Sequence, residues 1–193
     1  MTDSTFWRKL CGLRVHDYEL LRISNPTAEL RIHTLFKCTE FGTLVGLVTG
    51  HVFSIVKRNK SEKGIFKRLR QPKTVRFATK CGLVGMCSGI VLSQPFYEYC
   101  IHFRKPGGFT QGEIYDQAFQ LRHNSYELSM HRATIIGLVL GVAMNRRKIL
   151  FGLPWGVAGS LLIVIAFHRY NIIRQKLAYL QNNNQNTSQQ LAS

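Results

Sequence analysis

Charged residues are absent from four stretches of this chain: Phe41 to Val56, Cys81 to Tyr97, Ala133 to Met144 and Ile149 to Phe167. Runs that are apolar on every face predict helices buried in lipid or protein rather than surface helices. The last run would make about 28 Å of helix, close to the ~30 Å hydrocarbon thickness of a bilayer. The first supplies about 24 Å and needs Leu35 and Phe36 to span. The third supplies only about 18 Å, so it must extend back through Tyr126, Leu128 and Met130, with Arg132 reaching toward an interface.

Small residues recur every fourth position within these runs: Gly42, Gly46 and Gly50; Gly85 and Gly89, after Gly82; Ala133, Gly137 and Gly141; Gly152, Gly156 and Ser160, beside Gly159. Four residues is about one helical turn, so each set lines one helix face. Glycine costs about 1 kcal/mol against alanine in a water-exposed helix. In a membrane the same stripe lets two backbones approach closely. The expected fold is therefore an all-α membrane protein of four glycine-packed spanning helices. Gly42, Gly46, Gly50, Gly82, Gly85, Gly89, Gly137, Gly141, Gly152, Gly156 and Gly159 are its helix-packing positions.

The flanks complete the plan. Residues 1–38 read as an amphipathic arm, with Phe6, Trp7, Leu10 and Leu13 on one side. Asn25 and Pro26 signal a helix start, and Glu29 favours its positive end, so that helix runs into the first span. Pro72 opens the second span, and Pro95 kinks or ends it before an interfacial belt of Phe96, Tyr97 and Tyr99. The 94–132 link turns at Pro106-Gly107-Gly108. Ile114, Ala118, Leu121 and Leu128 then recur near helical spacing, predicting an amphipathic helix against a partner or the membrane. Pro154 sits in the opening turn of the fourth span. Residues 39–168 form the membrane domain, and the Asn/Gln-rich 169–193 segment is a polar tail expected to lack fixed structure.

Charge sets the orientation. The net charge is +16. Lys57, Arg58, Lys60, Lys63, Lys67, Arg68, Arg70 and Lys73 follow the first span, and Arg146, Arg147 and Lys148 fill the tight third link. The 94–132 link instead balances its charges. Both basic links fall on one side of a four-span chain, which puts the termini on the other. Arg76 and Lys80 snorkel toward the basic side. These charges set topology and offer contacts to anionic lipid headgroups. Nucleic acid is not an expected partner, because no aromatic-interleaved basic motif is present. No secretory signal is visible, and Asp3, Asp17 and Glu19 are atypical of a cleaved presequence, so internal targeting signals are expected.

Candidate chemistry is sparse. Five cysteines form no metal or redox framework, and free thiols are expected, although the topology permits a Cys38–Cys100 bridge. His123 and His131 flank a helix start, and neither is joined by a second ligand pair at i+3 or i+4. His51, inside the first span, is placed to hydrogen-bond across helices. No hydrolase, zincin, P-loop or dinucleotide fingerprint occurs. No catalytic, cofactor-binding or metal-ligating residue is expected, and the chain is not expected to be an enzyme by itself.

The membrane region, roughly residues 38–168, resembles the mitochondrial inner-membrane translocase family. The shared pattern is Gly42/Gly46/Gly50, Gly85/Gly89, Gly137/Gly141 and Gly152/Gly156, with a basic loop after span one and a short basic turn before span four. The run Ile136 to Ala143, followed by Gly152, Gly156 and Gly159, looks most like the translocase-like accessory subunit of respiratory complex I. Protein-conducting members resemble one another in placing acids along a lateral cavity. Here no acid lies within the apolar cores; Glu40 and Glu98 only border them. The 94–132 link is long for the accessory subunit, and the Asn/Gln tail is not part of its pattern. The resemblance implies a non-catalytic accessory subunit supporting assembly or stability of the complex I membrane arm, with the arm's other subunits as partners. The alternative is a component of the import translocase. Either implies a multi-pass protein of the mitochondrial inner membrane with its termini in the intermembrane space.

Overall fold

Asn25 caps the first long helix of the protein: its side-chain oxygen accepts the Ala28 backbone N–H at 3.0 Å, with Pro26 as first helical residue. This is a computed structural model, and it describes residues 4–16, 19, 21–57, 71–145 and 149–192. In chain order the helices are α1 (Ser4–Leu10), α2 (Pro26–Lys57), α3 (Pro72–His102), α4 (Gln111–His123), α5 (Ser125–Met144) and α6 (Ile149–Ala192). There is no strand among the described residues, and α2, α3, α5 and α6 are long and apolar enough to cross a membrane. The third span does extend back as its length required. α5 begins at Ser125 and its 20 residues reach about 30 Å.

The glycine stripes build two antiparallel hairpins. In the first, Gly42 faces the Gly85 backbone, Gly46 faces Cys81 and Gly82, Gly50 faces Ala78, and Gly89 faces Cys38. In the second, Gly137 faces Gly156 and Ser160, while Gly141 faces Gly152. A methyl group added at Gly50 would sit 2.6 Å from the Ala78 Cα, and the other facing pairs leave no more room. The hairpins join through α3 and α6. Gly82 meets Leu47 and Pro154, and Trp155 donates its Nε1–H to Thr79 Oγ1 at 2.8 Å.

Two proline positions and one glycine differ from expectation. Pro154 is the sixth residue of α6, not part of its first turn, because the helix starts at Ile149. Its ring fills the space beside Gly82, which offsets the backbone hydrogen bond it cannot make. α3 continues through Pro95 to His102. Gly159 does not pack: nothing lies within 4 Å of a methyl built on it. Ser160 takes the next contact on the stripe, and Gly159 lines an open apolar cleft of about 500 Å³ with Gly152, Trp155 and Gly156.

α2 ends, α3 begins, α5 ends and α6 begins at one end of the bundle. Asn145 and Phe151 share a cleft there with Val75, Arg76 and Thr79. Arg76 and Lys80 are exposed near that end. Lys57 ends α2 and Lys73 is the second residue of α3. The other basic link residues, Arg58, Lys60, Lys63, Lys67, Arg68, Arg70, Arg146, Arg147 and Lys148, lie outside the described residues.

The opposite end is covered by the chain's own short helices. Thr110 and Glu113 form a reciprocal capping box that starts α4. Asn124 ends α4 and caps α5 by accepting the Glu127 N–H at 3.3 Å. The apolar face of α4 is spent inside the protein, with Ile114, Ala118 and Leu121 packed on Ile23, Leu30, Tyr97 and Ile101. It therefore does not present that face to a partner or a bilayer. Tyr97 leaves the expected aromatic belt for the same cluster, while Phe96 and Tyr99 stay exposed. Phe6 and Leu10 of α1 pack on Leu128, whereas Trp7 and Leu13 point outward. Arg132 donates to the carbonyls of Lys9 and Leu10, closing the C-terminus of α1. At the other chain end the backbone is helical through Ala192, where composition predicts no fixed structure. An already nucleated helix extends at low cost per residue, which accounts for this continuation.

Candidate functional site

Polar side chains converge where α2 and α5 pass each other beneath α1. His33, Lys37 and Glu40 come from α2, and Glu127, His131 and Thr134 from α5. Residues 127 and 131 are one turn apart, as are 33 and 37, so each helix presents its set on one face. His131 and Glu40 are buried at 1% and 4% exposure. Buried polar groups are costly unless bonded, and these are. His131 Nδ1 lies 3.0 Å from Glu40 Oε1, and the Thr134 hydroxyl donates to the same oxygen at 2.8 Å. His131 Nε2 lies 2.7 Å from His33 Nδ1. Lys37 pairs with Glu127, and Phe36 stacks on the His131 ring at 4.8 Å.

His33, Glu127 and His131 each bring one metal-capable atom within 4.8 Å of the other two. The sequence alone did not assemble this set. His33 is 98 positions from His131, and Glu127 stands four positions before His131, the one local signal pointing to it. Among the described residues no nucleophile is held against a base here; the chemistry offered is proton sharing and ion coordination.

The other acid bordering a span is also engaged. Glu98 accepts from Arg31 at 3.0 Å and Gln94 at 2.8 Å, and sits 3.3 Å from His102. His51 faces the Trp155 ring at 5.5 Å, and its Nδ1 is buried without a hydrogen-bond partner. It thus lies across helices, as expected, but contributes a ring contact rather than a hydrogen bond from that nitrogen. Cys38 and Cys100 are free thiols, as are Cys11, Cys81 and Cys87.

Residues 6–167 match the model of a family described as a protein of unknown function, DUF1757. The chain belongs to this family. The matched region runs from α1 through the apolar part of α6, so it includes both hairpins, α4 and the α2–α5 polar cluster. No curated protein matches the chain.

Proposed function

We propose that this protein is a non-catalytic scaffold in a membrane-embedded assembly, specifically an accessory subunit supporting the membrane arm of mitochondrial respiratory complex I. The observation that carries the scaffold reading is the burial of Glu40, the border acid of the first span. Glu40 is buried on His131 and Thr134, whereas Glu98 stays partly exposed and is paired with Arg31, Gln94 and His102. Acids that attract a basic presequence must be open to it. The assignment to complex I rests on the resemblance of the Ile136–Ala143 run and its following glycines.

The glycine faces are spent within the hairpins, which leaves Val48, Val84, Val91, Val139 and Ile163 exposed on the outside. These faces and the cleft beside Gly159 are the surfaces for neighbouring subunits. Lys73, Arg76 and Lys80 line a cleft of about 370 Å³ with Phe77 and Phe151, suited to an anionic headgroup above an acyl chain. The protein sits in the mitochondrial inner membrane with its basic links in the matrix and its termini in the intermembrane space.

Depletion followed by native electrophoresis tests the reading. Complex I should fragment or weaken while precursor import continues at its normal initial rate. Intact complex I after full depletion would sink it. Crosslinking of an arrested precursor to the spans near Glu40 or Glu98 would instead support the import-translocase alternative.

A further inference from the structure

We propose that His33, Glu127 and His131 form a binding site for a zinc-class divalent metal ion that ties α2 to α5. The inference is independent of membership in any complex. Two imidazoles and a carboxylate are a donor set that suits zinc and its neighbours. The three donor atoms already lie within 4.8 Å of one another.

The surroundings of His131 orient it for this role. Glu40 lies on Nδ1 at 3.0 Å and is itself fixed by Thr134. A carboxylate on Nδ1 holds the proton there and leaves the Nε2 lone pair free for a metal, the usual support of a ligating histidine. That nitrogen points at His33 Nδ1, 2.7 Å away. Two ring nitrogens so close must share a proton or a cation. Zinc–nitrogen bonds of about 2.0–2.1 Å in a tetrahedron place two nitrogens about 3.3 Å apart. Small rotations of the two rings supply the difference. Phe36 stacks over His131 and limits water on that side. Glu40 and Glu127 bring two negative charges against the single positive charge of Lys37. Lys37 pairs with one oxygen of Glu127, and a carboxylate has a second to give. The fourth position falls to water.

The location gives the ion a structural purpose. The hairpins pack internally through glycine, and α3 and α6 join them toward the basic end. A metal held by α2 and α5 joins them at the terminal end.

The test uses the full chain in detergent, stripped with a chelator and then dialysed against Zn²⁺ or Co²⁺. Wild type should retain about one zinc per chain by elemental analysis and give the visible absorption of four-coordinate cobalt. His33→Ala and Glu127→Gln, at half-buried positions, should lose that stoichiometric zinc. Glu40→Gln should weaken binding about 10–100-fold, as removal of a supporting carboxylate does. His123→Ala, outside the cluster, should bind as wild type. Absence of zinc from folded wild type would overturn the proposal and leave a shared proton between the two rings. Equal retention by folded His33→Ala and Glu127→Gln would overturn it as well.

Discussion

Arg122 of α4 and Glu29 of α2 meet as an ion pair at 1% and 0% exposure, the arginine Nε donating to Glu29 Oε2 at 2.9 Å. The same guanidinium donates to the Arg22 carbonyl at 3.1 Å, so it pins the segment before α2 as well. Removing one member leaves the other buried and uncompensated, which costs about 3–5 kcal/mol. Glu29→Gln and Arg122→Met should each lower the thermal midpoint sharply in detergent. The double variant Glu29→Met/Arg122→Met should recover much of the loss. A double variant as unstable as the two singles combined would show that the pair is not the source.

Glycine substitutions separate packed from open positions. Gly85→Ala drives a methyl into the Gly42 carbonyl, and Gly156→Ala into that of Gly137. Overpacking of this kind costs about 1–3 kcal/mol. Gly159→Ala meets open space and should leave stability unchanged or slightly raised. Denaturation of the three variants in one detergent compares them directly, and equal losses would contradict the packing described.

The start of α4 carries a pH dependence. The Lys105 ammonium beside Glu113, then the Thr110 backbone N–H, hold the Glu113 carboxyl down at about 2 against an ordinary 4.5. A depressed carboxyl stabilises the folded form above its unfolded value. That contribution fades as pH falls from about 4.5 through about 2. Carboxyl-carbon NMR should place the midpoint near the lower value, and Lys105→Ala should raise it. Thr110→Ala removes a side-chain cap and should cost about 0.5–2 kcal/mol.

The proposed topology rests on the two basic links. A cysteine placed at residue 64, with the native thiols replaced, should react with an impermeant maleimide only after the inner membrane is opened. One placed at residue 13 should react once the outer membrane alone is ruptured. The reverse order would invert the orientation proposed from the positive links.

The spanning helices were legible because lipid demands composition, and Ile149–Phe167 shows it without any neighbour. Pairing was only half legible. Spacing marks Gly42 and Gly85 as packing positions, but not that they face each other. Gly159 shares the small-residue signature, yet lies off the contact line that Ser160 continues. The apolar face of α4 was legible as a face, while its occupant, Ile23 with Tyr97, comes from two distant segments. The polar cluster was least legible. A helix register places Glu127 over His131, but only the tertiary fold brings His33 and Glu40 to them.

The 44 residues of α6 measure about 66 Å along the axis. A bilayer accommodates about 30 Å of hydrocarbon. The helix is therefore about twice as long as the hydrocarbon layer requires. Its C-terminal turns extend past the apolar layer along the helix axis, so the protein's length is vertical as well as lateral.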